Sequence, residues 1–344
     1  MVEAVLLRDL AVVMVVAAVT TILFHRLRQP VVLGYLVAGV IIGPYTLPYS
    51  LVTNIPNINT LAELGVIFLT FSLGLEFSLR RLRRVGAVAL VAGVLEILLM
   101  LWIGFTIGRS LGWSPIDSIF LGAILSISST MIITKVLRDL GKEREDFAEV
   151  VFGILIVEDL AAIVIIALLS GIAMTGTFTP WEVGATVARV GLFLATVLVA
   201  GLLVVPRLIN YVSRFRKEEV LMVTVLGLCF SMALVALYLG FSVVLGAFIM
   251  GAIISESWAS PMVVRQIAPL RDMFVAVFFV AAGMLIKPAL VAEYALPIVL
   301  IAAAAVLGNI VSCSLATFLL GYPPRFAMKV GISLATIGEF SFII

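Results

Sequence analysis

The sequence predicts an all-α polytopic membrane protein built from two repeats that cross the membrane in opposite directions. Three observations carry this. Of 344 residues, 63% are hydrophobic and 12% charged, with a mean hydropathy of +1.27, whereas a soluble domain is roughly 45–50% apolar and 25% charged. The apolar residues gather into twelve runs, most of them near the roughly 20 residues that a spanning helix needs. A stretch close to the N-terminus recurs in the second half of the chain.

The runs lie at about 9–25, 31–43, 60–79, 86–108, 116–138, 148–170, 183–209, 218–238, 240–255, 267–287, 293–319 and 326–344. The second and ninth are short and glycine-rich. Basic residues alternate with them. Arg26, Arg80, Lys135, Arg214, Arg265 and Lys329 follow odd-numbered runs, and with their neighbours they place eighteen of the 22 lysines and arginines on one side. Arg8, Arg109, Arg189 and Lys287 lie on the other. Lysine and arginine accumulate in cytoplasmic loops, so the N-terminus is expected outside a cytoplasmic (inner) membrane. The first ten residues contain Glu3, Arg8 and Asp9 and do not read as a signal peptide.

The repeat is visible in residues. Val31–Gly43 matches Val243–Ser255 at seven of thirteen positions, offset by 212; Phe71–Leu75 matches Val280–Met284, and Gly122 falls on Gly331, both offset by 209. The second run maps to the ninth. A shift of seven crossings is odd and reverses direction through the membrane, so the repeats are inverted. This divides one transmembrane domain, 1–344, into repeat A (about 1–170), a linker helix (about 183–209) and a shortened repeat B (about 218–344). The mate of the sixth run would fall near 357–379, so a thirteenth helix is expected beyond Ile344. Inverted repeats with interrupted helices are a mark of secondary transporters, whose sites lie near the midplane.

The chemistry centres on Glu158 and Asp159, adjacent carboxylates in the middle of the sixth run. A charge at that depth costs about 2.5–3.5 kcal/mol on insertion scales and marks a functional site by default. Opposite them in prospect is Ser126-Ile-Ser-Ser-Thr130, with the related Ala335-Thr-Ile-Gly-Glu339 in the last run. If both helices break there, their ends and freed carbonyls can hold an ion. Hard cations take oxygen ligands. Asp159 with Ser129, Thr130 and main-chain carbonyls could supply them to Na⁺ or K⁺. Burial disfavours a bare carboxylate, so one such group holds a proton or a cation but hardly both, and that competition yields exchange. Glu96, midway along the fourth run, offers a second proton site or a structural hydrogen bond. Glu76 suits a cytoplasmic funnel, Glu63 is interfacial, and Glu339 and Ser126 are supporting candidates. Cys229 and Cys313 read as small buried hydrophobes. No phosphate-binding loop, zinc motif or potassium-channel filter is present. The chain reads as a carrier and not an enzyme. Its ligands are the transported ions, no cofactor is expected, and lipid rather than nucleic acid is its surrounding partner.

In these stretches the sequence resembles the monovalent cation:proton antiporter-2 family, of the Kef and NapA type. Gly34–Pro44, Phe71–Phe77, Ser128–Thr130, Val157–Leu160, Phe278–Met284 and Gly338–Phe340 carry the resemblance, in the expected order. It implies the NhaA/NapA-like fold: thirteen helices in a dimerisation domain and a six-helix core, the core holding two crossed discontinuous helices. It also implies a homodimer with elevator-type alternating access. Asp159 matches the essential cation- and proton-binding aspartate, Glu158 the position before it, and Thr130 the hydroxyl of the unwound helix. Electrogenic members carry a lysine where this chain has Asn309, which favours electroneutral exchange. The Kef branch adds a C-terminal nucleotide-binding regulatory domain. Two other readings are a ligand-gated, channel-like K⁺ efflux pathway and a Na⁺-coupled organic-anion symporter of the same architecture.

Overall fold

A computed structural model describes residues 2–27, 29–46, 51–52, 55–76, 86–142, 144–175, 180–215 and 217–344. Among the described residues it is all-helical, with 14 α-helices. In chain order they are α1 (Val2–Arg26), α2 (Val31–Ile42), α3 (Ile55–Glu76), α4 (Ala87–Ser110), α5 (Pro115–Leu125), α6 (Thr130–Asp139), α7 (Asp146–Thr175), α8 (Pro180–Ser213), α9 (Glu218–Tyr238), α10 (Val243–Ser255), α11 (Ser260–Met284), α12 (Pro288–Glu293), α13 (Ala295–Leu319) and α14 (Pro324–Ser333). A 3-10 turn, Glu339–Phe342, follows.

Every apolar run falls on a helix or on an interrupted pair. The run at 116–138 divides into α5 and α6, and the run at 326–344 into α14 and the 3-10 turn. α11 starts at Ser260, ahead of the 267 expected, and carries Arg271 and Asp272 as an ion pair, Nη2 to Oδ1 at 2.8 Å. Seven of the described helices are long and apolar enough to cross a membrane, while α2, α5 and α10 are apolar but shorter. Large side chains such as Leu192, Leu296 and Leu307 are exposed along these helices, as lipid-facing surfaces require. The chain is a multi-pass membrane protein. The Arg80–Arg84 cluster lies outside the described residues.

The chain forms two compact units. One comprises Met1–Ser78 and Leu192–Glu293, the other Leu79–Gly191 and Tyr294–Ile344. Each draws helices from both sequence repeats. In the first unit α3 packs on α10 and α11, and α2 on α11. A Cβ on Gly74 would strike the Phe248 carbonyl, and one on Gly251 the Phe71 carbonyl. Gly39 and Gly283 stand in the same reciprocal relation to Val280 and Leu36. The two contacts are repeat mates: Gly39 with Gly251, and Gly74 with Gly283. Helices in lipid associate largely by close packing, which small residues permit.

In the second unit α4 packs on α5, α7 and α13, and α13 on α14. The same symmetry recurs. A Cβ on Gly122 would meet the Leu101 carbonyl, and one on Gly331 the Ile310 carbonyl. A buried apolar cluster of Ala92, Ile133, Val151, Ile154, Ala316 and Val330 joins α4, α6, α7, α13 and α14. It supports the polar groups described next.

Candidate functional site

The site lies wholly within the second unit and begins with two broken helices. α5 stops at Leu125. Residues 126–129 are non-helical, and α6 resumes at Thr130. Serine side chains compete with the helical backbone for hydrogen bonds, and they do so here. Ser126 Oγ donates to the Ala123 carbonyl at 3.0 Å, and Ser129 Oγ accepts from Ile132 N at 3.3 Å, capping α6. α14 likewise stops at Ser333, and the chain is irregular until the turn at Glu339.

The two breaks cross and bond to each other. Gly338 N donates to the Ile127 carbonyl at 2.8 Å, and Ser129 N donates to Thr336 Oγ1 at 3.1 Å. The two bonds are symmetry mates of each other, since 129 and 338, like 127 and 336, differ by 209. Ser128 Oγ donates to the Leu334 carbonyl at 3.1 Å, and Ser341 Oγ to the Ile124 carbonyl at 2.7 Å. A Cβ at position 338 would lie 2.6 Å from the Ser128 carbonyl oxygen, so the crossing requires glycine there. Unwound backbone at membrane depth is tolerated only when its polar groups are satisfied within the protein, and these bonds do that.

The acidic pair on α7 lies against this crossing, and its members differ. Asp159 is partly exposed and accepts from Thr130 Oγ1 at 3.1 Å. Glu158 is fully buried; its Oε2 accepts from Ser128 N at 2.7 Å, while Oε1 has no hydrogen-bond partner among the described residues. Successive residues on a helix point in different directions, about 100° apart, which separates the two environments. The N–H groups that open α6 give that helix end partial positive charge, which suits a carboxylate.

The remaining candidates divide. Asn309, on α13, is fully buried and donates from Nδ2 to the Thr336 carbonyl at 3.3 Å, so it braces the crossing. Glu96, on α4, is also fully buried; it lies beside Glu158 and Cys313, with one donor atom from each of the three within 4.8 Å of the others. Ser126 turns back onto its own helix and Ser129 caps the next, so both shape the break. The side chains of Glu76 and Glu339 lie outside the described residues, and Glu63 is exposed. Sequence reasoning did not single out Thr336, which uses both its hydroxyl and its carbonyl at the crossing. Its signal is its position 209 after Ile127, in the centre of the first break.

An all-helical membrane unit with two crossed helix breaks and an acidic pair set against the crossing belongs to the inverted-repeat, crossed-helix class of membrane proteins. Within that class, the family model for "Sodium/hydrogen exchanger, transmembrane" matches residues 13–344, and the chain belongs to this family. The chain is 32% identical over 341 residues to the "Putative cation/proton antiporter YbaL" of Escherichia coli, covering 96% of this chain and 60% of that protein. It is 34% identical to "K(+) efflux antiporter 6" of Arabidopsis thaliana, covering 98% and 57%. The chain thus spans about 60% of the length of these curated relatives. A solved structure of the sodium proton antiporter MjNhaP1 from Methanocaldococcus jannaschii superimposes with a TM-score of 0.72, covering 97% of this chain and 85% of that one at 16% identity. That likeness speaks for the fold alone.

Proposed function

We propose that the chain is the membrane part of a secondary-active antiporter that exchanges a monovalent cation, Na⁺ or K⁺, for H⁺, with both competing for Asp159. The observation that carries the reading is the contrast within the acidic pair. Asp159 is partly exposed and shares a hydroxyl ligand, Thr130, at the mouth of a broken helix; Glu158 is sealed behind it. A group that must take up one ligand and release another needs that access. The names of the two relatives, a putative cation/proton antiporter and a K⁺ efflux antiporter, support the same reading.

The mechanism follows from charge. A deprotonated Asp159 attracts the cation, with Thr130 and backbone carbonyls completing an oxygen shell. A protonated Asp159 does not. Alternating access then carries one ligand in each direction. With Asn309 in place of a basic residue, one proton replaces one cation and the cycle is electroneutral. The proposal includes a homodimer with elevator-type movement, in a cytoplasmic membrane with the N-terminus outside. The distribution of basic residues supports that orientation.

Full-length protein in liposomes loaded with a pH-sensitive dye tests this. Added Na⁺ or K⁺ should move protons, an imposed membrane potential should not alter the rate, and Asp159→Asn should abolish the signal without changing the melting temperature. Exchange unchanged in Asp159→Asn sinks the assignment. Cation flux without any pH change favours the channel-like reading.

A further inference from the structure

Glu96, Glu158 and Cys313 present a group of donors that exchange at Asp159 does not use. They come from three helices of the second unit, α4, α7 and α13, and all three side chains are fully buried. One donor atom from each lies within 4.8 Å of the other two. Among the described residues, both Glu96 carboxyl oxygens and Glu158 Oε1 have no hydrogen-bond partner. Asn309 Oδ1, one turn before Cys313 on α13, has none either. Buried acceptors without partners are costly, and buried charges are ordinarily paired or coordinate a metal. Cys313 does not stand alone as a thiol; each of two buried carboxyl groups brings an oxygen within 4.8 Å of its sulfur.

The donor set points to the kind of ligand. The transported monovalent ions are hard and take oxygen. A thiolate with two carboxylates suits a borderline dication such as Zn²⁺, which binds cysteine sulfur and carboxylate oxygen together. Zinc–ligand bonds of about 2.0–2.3 Å place neighbouring donors on one tetrahedral ion roughly 3.5 Å apart. The donors therefore need to close by about 1 Å, within reach of rotation in the two glutamate side chains. We propose that Glu96, Glu158 and Cys313 form a binding site for a borderline transition-metal dication, tying α4, α7 and α13 together behind the helix crossing. As the ion binds it displaces the Cys313 thiol proton and any proton carried by the two carboxyl groups, and these pass to water.

The test is occupancy of the full-length protein in detergent after chelator treatment, so it is independent of whether the protein exchanges cations. Titration with Zn²⁺ should show one saturable site per chain, and Cd²⁺ should produce an ultraviolet cadmium–thiolate charge-transfer band. Cys313→Ser should remove the band and weaken binding at least tenfold, Glu96→Gln should weaken it similarly, and Cys229→Ser should leave both intact. X-ray absorption at the zinc edge needs no variant, and it should show one sulfur in the first shell. Absence of saturable binding, an all-oxygen or nitrogen shell, or a band that survives Cys313→Ser would each overturn the site.

Discussion

Asp159 and Glu158 are one residue apart, yet their surroundings assign them different work. Asp159 keeps access and a hydroxyl partner in Thr130, while Glu158 is enclosed and held by a backbone amide of the helix break. Removing the Thr130 hydroxyl should weaken cation binding without unfolding the protein. A hydrogen bond to a charged group contributes about 1.5–3 kcal/mol, and 1.4 kcal/mol is tenfold in affinity. Thr130→Ala should therefore raise the apparent KM for the cation roughly tenfold, measured as dye response against cation concentration. Thr130→Ser should restore most of it, and an unchanged KM would remove Thr130 from the ligand set. Both acids and Thr130 were legible in the sequence, because charge and hydroxyls stand out in an apolar run. Thr336 and Cys313 were not, since neither is unusual in a membrane helix until its neighbours are known.

The broken helices function as a pair. Ser129 N bonds to Thr336 Oγ1, Gly338 N to the Ile127 carbonyl, and Asn309 to the Thr336 carbonyl. Thr336→Val keeps the shape of the side chain and removes the hydroxyl that accepts from the Ser129 amide. Such a loss costs about 1–3 kcal/mol. The melting temperature should fall and exchange should slow, whereas Thr336→Ser should behave as wild type; a wild-type melting temperature for Thr336→Val would show that this bond does not hold the crossing. The hydroxyl tract foretold a break in the fifth apolar run, and the shared offset foretold one in the last. Two members of the tract, read in sequence as candidate ligands, also shape the break. Ser126 bonds its own helix and Ser129 caps the next.

The two compact units each take helices from both repeats. The glycine contacts recur as symmetry mates, with Gly39 and Gly74 answered by Gly251 and Gly283. Orientation is a property of the whole chain and can be tested directly. In a variant without Cys229 and Cys313, a thiol at Ser110→Cys should react with an impermeant reagent on intact cells. A thiol at Arg144→Cys should react only after permeabilisation. Both positions are exposed in the structure. The opposite pattern would invert the topology drawn from the basic residues.

Membrane character, the number of apolar runs, the inverted repeat and the acidic pair are readable from the chain alone. Each rests on composition or on periodicity along the backbone, and lipid admits few folds for such a pattern. The meeting of particular atoms is another matter. Ser128 contacts Glu158 across 30 residues and Leu334 across 206. Glu96, Glu158 and Cys313 converge from three helices. Such contacts depend on how helices rotate and pack against one another, which no local stretch encodes. For this reason the role of Asn309 as a brace, the divergence of the two acids and the buried cluster behind them became visible only in three dimensions.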